Sequence, residues 1–313
     1  MGRAVPVISV SVPGSMMLMG EHAVLFSEPS IVCAVDKRLD VRLTARADDQ
    51  VNVVSALGQY HATLSALHDD TSLTFVVSAI RHLAPQLTQG FDLHITAGFS
   101  HTVGLGSSAA VTVGVVAALL AYVDADRNPN AVFDRALAVL HDVQHGRGSG
   151  ADLAASIYGG VIGYQVTPRR IETLAASLPL ALYYVGYKMK TPDVLAHVEA
   201  ISASQPEVYA SLYSLMGEVT HQAYDCIARN DIATLGRLLN TYHGLLCALG
   251  VSDANLDDLV HRLRAEDSVL GAKISGSGLG DCVVALGHSD ASIIPYKPIP
   301  MAVAPQGVHI EVV

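Results

Sequence analysis

The sequence predicts an α+β fold built as two units, and three observations predict it. The first third alternates apolar and polar residues with the period of half-buried strands, at 5–14 (VPVISVSVPG), 39–46 (LDVRLTAR) and 91–98 (FDLHITAG). Helical and strand patterns then mix without a strict βαβ alternation, which disfavours a doubly wound parallel sheet. The composition changes at residues 167–179 (TPRRIETLAASLP), and this places the division between units 1–170 and 171–313.

The elements follow in chain order. Residues 74–83 (TFVVSAIRHL) have helical spacing. A Gly-Leu-Gly-Ser-Ser turn opens an apolar helix at 109–123. Residues 130–145 form another helix, with Ala131, Phe133, Ala136, Leu137 and Leu140 on one side. Small residues after Asp152 continue as a helix, and GGVIGYQV reads as a strand. Beyond the division, LALYYVGY is a buried strand, and helices occupy 192–203, 207–230 and 232–249. The chain closes with AKISGSGLGDCVVAL and a terminal strand, GVHIEVV. There is no internal repeat and no low-complexity tract.

Half of the 313 residues are hydrophobic, enough for a large core. The formal charge of −10, with only five lysines and no basic run, argues against nucleic acid or a charged membrane surface as partner. Cys33, Cys226, Cys247 and Cys282 are far apart and form no C-x-x-C pair, a pattern that fits free thiols in a reducing cytoplasm. The N-terminus lacks the pattern of a signal peptide, and the apolar stretch 109–123 is shorter than the ~20 residues a span needs.

Three stretches carry chemistry. In Gly104-Leu105-Gly106-Ser107-Ser108-Ala109-Ala110, small residues let backbone N–H groups approach an anion, and the following helix adds its positive end. The two hydroxyls could reach phosphate oxygens or Mg²⁺. The plainer reading is a tight turn capping a buried helix. It is not a Walker loop, because the chain has no Gly-Lys pair. A second glycine-rich segment, Gly276-Ser277-Gly278-Leu279-Gly280-Asp281, follows Lys273, precedes the strand CVVAL and reads equally as an anion loop or a hairpin turn. Asp152, after Gly148-Ser149-Gly150, is either a helix-capping residue or a base. Near the N-terminus, Pro13-Gly14-Ser15 and Gly20-Glu21-His22 put two polar side chains at the end of an apolar element.

Taken in order, these motifs resemble the GHMP kinase superfamily over almost the whole chain. Its Pro-Gly-Lys…Gly-Glu-His looks like residues 13–22, its Gly-Leu-Gly-Ser-Ser-Ala matches 104–109, and its Lys-x-Ser/Thr-Gly-Ala/Ser-Gly-x-Gly looks like 273–280. The resemblance implies a ribosomal-S5-like nucleotide domain and a ferredoxin-like C-terminal domain with a cleft between them. It also implies ATP with Mg²⁺, γ-phosphoryl transfer to a small hydroxy acid, and often a homodimer. The run His145-Gly146…Ser149-Gly150…Asp152 is similar to that of mevalonate-type kinases, which implies Asp152 as base and Ser149 beside the substrate. His22 would then bind the acceptor, Glu21 would organise the cleft, and Thr191 would start the substrate-side helix.

The sequence also departs from the pattern. Ser15 stands where the family has Lys, His141 where it has a metal-binding Glu, Gly163 where mevalonate kinases have Arg, and Ser100 where Pro precedes the loop. Lys188 and Lys190 are candidate replacement cations, and Asp142 joins Ser108 as a candidate metal ligand. The phosphate loop, the Asp152 region and the third motif look at least as much like phosphomevalonate kinases. A phosphorylated acceptor would need more cations than Arg147, and the stretch 100–103 before the loop has none. The order of expectation is therefore mevalonate, phosphomevalonate, a sugar, and last a catalytically quiet binder on the same fold.

Overall fold

In the computed structural model, which describes residues 7–99, 103–175, 177–288, 296 and 298–313, the N-terminal alternation runs on well past the Pro-Gly pair. Ser100, His101 and Thr102, singled out above, lie outside these residues. Strand β1 (Val7–Met19) pairs antiparallel with β2 (Ser30–Ala45), with irregularities at Pro13/Gly14 and Met17/Met19. A hairpin of β3 (Gln50–Ser55) and β4 (Gly58–Thr63) leads to α1 (Thr74–Leu83) and β5 (Phe91–Ala97). Then come α2 (Ser107–Tyr122), α3 (Pro129–Val143), α4 (Ala151–Tyr158), β6 (Val161–Gln165) and β7 (Arg170–Ala175). The second unit holds β8 (Leu180–Lys188), α5 (Thr191–Ser202), α6 (Pro206–Ala228), α7 (Ile232–Leu249) and α8 (Ala254–Arg264). It ends with β9 (Val269–Ser275), β10 (Gly280–Gly287) and β11 (Pro298–Ile299), before β12 (His309–Val312).

The strands form two sheets. One has the order β12-β1-β2-β5-β3-β4, with β6 on the first half of β2 and β7 beyond it; the other is β11-β8-β10-β9. The composition shift taken as a boundary is in part an edge strand. β7 has no buried residue and is still hydrogen-bonded to β6, and polar side chains are what an unprotected sheet edge carries. The sheets change over between Ala175 and Leu180, so the division expected at 170/171 cuts the start of β7. The chain also returns at its end, where β12 pairs with β1.

Burial explains the longest apolar runs. Along β2, Val32 and Ala34 enter the first core, while Ile31, Cys33 and Val35 enter the second. Successive side chains point to opposite faces, so a strand covered on both sides must be apolar throughout. Helix α2 is apolar on all sides for the same reason: it packs against α1, α3, α4, β1 and β2.

Helix α8 and the strands β3 and β4 have no counterpart in the sequence reading. Leu256, Leu259, Val260 and Leu263 line the buried side of α8, and Asp253 caps it by accepting the N–H groups of Asn255 and Leu256. Its charged outer face hid that stripe. The β3–β4 hairpin turns at Ala56-Leu57, without the Asn-Gly or Asp-Gly signal of a tight hairpin.

Ile31 belongs to a strand of the first sheet but fills the second core. Ile31→Ala is expected to lower the unfolding free energy by about 2–5 kcal/mol in denaturant titrations. Asp40→Ala, at an exposed position of the same strand, should stay within about 0.5 kcal/mol.

Candidate functional site

Where β1 ends, the chain turns through Gly20-Glu21-His22 into the interface between the units. Glu21 is 3% exposed and Lys273, on β9, is 0% exposed. Lys273 Nζ donates to Glu21 Oε1 at 2.5 Å and also to the Ile274 carbonyl. The Tyr242 ring lies 5.5 Å from the ammonium, and the Tyr242 hydroxyl donates to the Glu21 carbonyl at 3.1 Å. Burial pushes the Lys273 pKa down and Glu21 opposes the shift. Glu21 Oε2 is buried with no hydrogen-bond partner among the described residues.

The neighbouring contacts extend this clamp. Ser275 Oγ donates to the Met17 carbonyl at 2.8 Å, and His22 Nε2 donates to the Ser277 carbonyl at 2.8 Å. That bond places the imidazole proton on Nε2, and burial lowers the His22 pKa, so the ring is neutral. The first and third sequence motifs therefore form one wall of a cleft of about 250 Å³.

The opposite wall is made by two helix N-termini. Gly106 is the N-cap residue of α2 and Gly150 that of α4, and neither helix has a side-chain cap. The first-turn N–H groups of α2 are thus left for an anion, with the Ser107 and Ser108 side chains beside them. Gly106 has φ 61°, and a Cβ there would stand 1.9 Å from Ser15 Oγ. Ser15 is fully buried; its N–H donates to the Leu105 carbonyl at 3.1 Å and its Oγ to Asp152 Oδ1 at 2.8 Å. Burial raises the Asp152 pKa, while the Ser15 hydrogen bond and the Lys188 charge lower it.

The second unit contributes a charge pair that the sequence reading only half found. Lys188, at the end of β8, lies 2.6 Å from Asp281 Oδ2, and Asp281 Oδ1 accepts the Gly104 N–H at 2.8 Å. Asp281 is 3% exposed, and the sequence reading gave it no role beyond ending the second glycine-rich segment. Its signal was a lone carboxylate directly after a glycine-rich loop. It ties the third motif to the second, across the cleft.

Most of the candidate residues converge here: Glu21, His22, Gly104, Gly106, Ser107, Ser108, Ala109, Ser149, Asp152, Lys188, Thr191, Gly276 and Ser277 all line the cleft. Leu105 and Gly278 do not; Leu105 is packed in the second core and Gly278 lies against Val251. Asp142 is also elsewhere. Its carboxylate accepts the Ser78 hydroxyl at 2.7 Å and lies 3.6 Å from His82 Nε2, between α3 and α1.

Two departures from the family pattern have local causes. His141 donates from Nε2 to the Gly148 carbonyl at 2.9 Å, holding the loop before Asp152. At Gly163 a Cβ would stand 2.9 Å from the Tyr224 ring, whose hydroxyl donates to the Ser30 carbonyl at 2.8 Å, so no Arg fits there.

Sequence comparison gives the same outline. The pattern of the GHMP kinases N terminal domain matches residues 74–160, and that of the GHMP kinases C terminal domain matches 223–295. Mevalonate kinase of Methanothermobacter thermautotrophicus is 33% identical over 280 residues, covering 88% of this chain and 89% of that protein. Mevalonate kinase of Thermococcus sibiricus is 30% identical over 331 residues, covering 97% and 98%. The crystal structure of L. major mevalonate kinase in complex with R-mevalonate has a TM-score of 0.75 at 25% identity, covering 95% of this chain and 96% of that one.

Glu21→Gln leaves the Lys273 ammonium buried without its counter-charge. It is expected to lower the unfolding free energy by about 3–5 kcal/mol, and Glu21→Gln combined with Lys273→Met should recover much of the loss. His22 adds a pH dependence. Its folded pKa lies below the unfolded 6.5, so its contribution is present above pH 6.5 and is lost as the pH falls below that value. Melting curves between pH 7.5 and 5.5 should therefore drop less steeply in His22→Asn than in the wild type.

Proposed function

This chain belongs to the GHMP kinases, and on that premise we propose that it is a mevalonate kinase, transferring the γ-phosphoryl group of ATP to the hydroxyl of mevalonate. One observation carries the mechanism: Asp152, held by Ser15, faces the same cleft as the uncapped N-terminus of α2 and the Lys188–Asp281 pair. Ser15 occupies Oδ1 of Asp152 and leaves Oδ2 for the acceptor hydroxyl. The raised pKa makes Asp152 a stronger base than a solvated carboxylate. The α2 N–H groups and the Ser107 and Ser108 hydroxyls hold phosphate oxygens, so this chain's task is positioning and charge neutralisation.

Lys188 supplies the cation that Ser15 does not, and Asp281 fixes where it stands. The cleft's oxygen donors, the Ser108 hydroxyl and the carboxylates, suit a hard cation. Mg²⁺ bound with the nucleotide would neutralise phosphate charge, with Ser108 as the loop's ligand and water and phosphates completing the shell. His22, Glu21, Ser149 and Thr191 face the acceptor from the walls of the cleft.

Charge favours mevalonate over its phosphate. Lys188 is paired with Asp281 and Lys273 with Glu21, whereas Arg147 lines the cleft with no ion pair among the described residues. One uncompensated cation suits one carboxylate. The unpaired thiols support a reducing cytoplasm as the working compartment, and no helix among the described residues is long and apolar enough to cross a membrane.

ADP release measured in parallel with mevalonate, phosphomevalonate and galactose tests the reading. Turnover is expected with mevalonate, and Asp152→Asn should lower kcat by about 10²–10⁴-fold. Saturable ATP binding without turnover on any of the three would overturn it. Lys188→Met should lower kcat by about tenfold or more, about 1.4 kcal/mol of barrier. Lys190→Ala and Asp142→Ala, both outside the cleft, should leave turnover and its Mg²⁺ dependence unchanged.

A further inference from the structure

Outside the cleft, α7 and α8 bring together three side chains of metal-ligating chemistry. His243 and Cys247 are one turn apart on α7 and so share a face, and Asp257 approaches from α8. His243 Nε2 lies 3.3 Å from Asp257 Oδ1, and Cys247 Sγ lies 3.6 Å from each of these atoms. These separations are the edges of a tetrahedron around a metal ion. Bonds of about 2.0–2.1 Å to nitrogen, 2.0–2.2 Å to oxygen and 2.3 Å to sulfur give edges of about 3.3 Å for N···O and about 3.5–3.6 Å for those to sulfur.

The surroundings suit a ligand set better than a packing cluster. His243 is 3% exposed, and its Nε2 faces only Asp257 and Cys247 among the described residues, the two other members of the set. Burial holds that imidazole neutral, as a ligand must be. Ser252 Oγ donates to Asp257 Oδ1 at 2.6 Å and orients the carboxylate. Arg264, whose charge reaches the cluster, directs its donors to the carbonyls of Ala272 and Asn240. Cys247 is exposed and Asp257 partly so, which leaves solvent access to a fourth position.

We propose that His243 Nε2, Cys247 Sγ and Asp257 Oδ1 bind a divalent transition metal of zinc type, with water in the fourth tetrahedral position. As the metal–sulfur bond forms, the thiol proton passes to solvent, and the neutral imidazole binds through the Nε2 lone pair with its one ring proton on Nδ1. The site staples α7 to α8 directly behind the second glycine-rich segment, at 276–281. There the Leu279 N–H donates to the Val251 carbonyl at 2.8 Å, and Tyr242, beside His243, bonds Glu21. The metal therefore acts on the rigidity of the cleft wall from outside the cleft.

The test is a titration of the full chain with Co²⁺, without nucleotide or Mg²⁺. One equivalent should bind, with a thiolate-to-cobalt charge-transfer band in the near ultraviolet and tetrahedral ligand-field bands in the red, both abolished by added Zn²⁺. Cys247→Ser should lose the charge-transfer band, and Asp257→Asn should bind at least about tenfold more weakly. Zn²⁺ should raise the melting temperature of the wild type and leave that of Cys247→Ser unmoved. Cys247 is at the surface, so its serine variant should fold. Failure to bind a first equivalent of Co²⁺, or a spectrum unchanged in Cys247→Ser, would overturn the proposal.

Discussion

Glu21, in the turn after β1, and Lys273, on β9, come from different sheets, and neither charge could be buried without the other. An isolated ammonium or carboxylate in that interior would cost several kcal/mol, so the pair forms only when the two sheets reach their native separation. Once formed, it fixes the turn through Gly20-Glu21-His22 against β9. His22 is thereby set against the Ser277 carbonyl, and the second glycine-rich segment is held facing the N-terminus of α2. Tyr242 completes the arrangement from α7, giving the ammonium a ring face and the Glu21 backbone a donor. The cleft has its shape because this pair has one geometry.

Charge in the cleft is shared between the two units in a related way. The first unit supplies a carboxylate, Asp152, and a neutral partner for it, Ser15. The second supplies Lys188 and the Asp281 that anchors it. Asp281 also accepts the Gly104 N–H, so the loop that would hold phosphate is positioned by a residue 177 places away in the chain. The serine in place of a lysine at position 15 does not leave the site without a cation. Lys188 of the other unit lines the same cleft, paired with Asp281, so its charge reaches the site only where the two units meet.

What could be read from the sequence follows from which constraints are local. The loop at 104–110 was legible because close backbone approach demands small residues in a row, and Asp152 because its turn and helix start are contiguous with it. The helix at 232–249 was legible to the residue, since its apolar period is unbroken and Gly250 stops it in the left-handed region. Asp281, the Lys188 pairing and the failure of Asp142 to reach the cleft were not legible, because each depends on contacts between residues far apart in the chain. Helix α8 was missed for a different reason: its buried stripe was present, but Asp257, Asp258, Arg262 and Arg264 outweighed it in composition. The boundary was misplaced because a polar edge strand and a linker have the same composition.

The alternate-face burial of β2 bears on what the two units are. Ile31, Cys33 and Val35 belong to one core and Val32 and Ala34 to the other, while Met16, Leu18 and Met19 of β1 extend the second core into the first sheet. A strand shared in this way is a poor hinge, because bending it would open both cores together. Nor can the chain be cut into two free-standing pieces, since a fragment containing only the second unit would lack part of its own interior. The polypeptide has two sheets and two cores, and β1 and β2 of the first sheet contribute side chains to both cores.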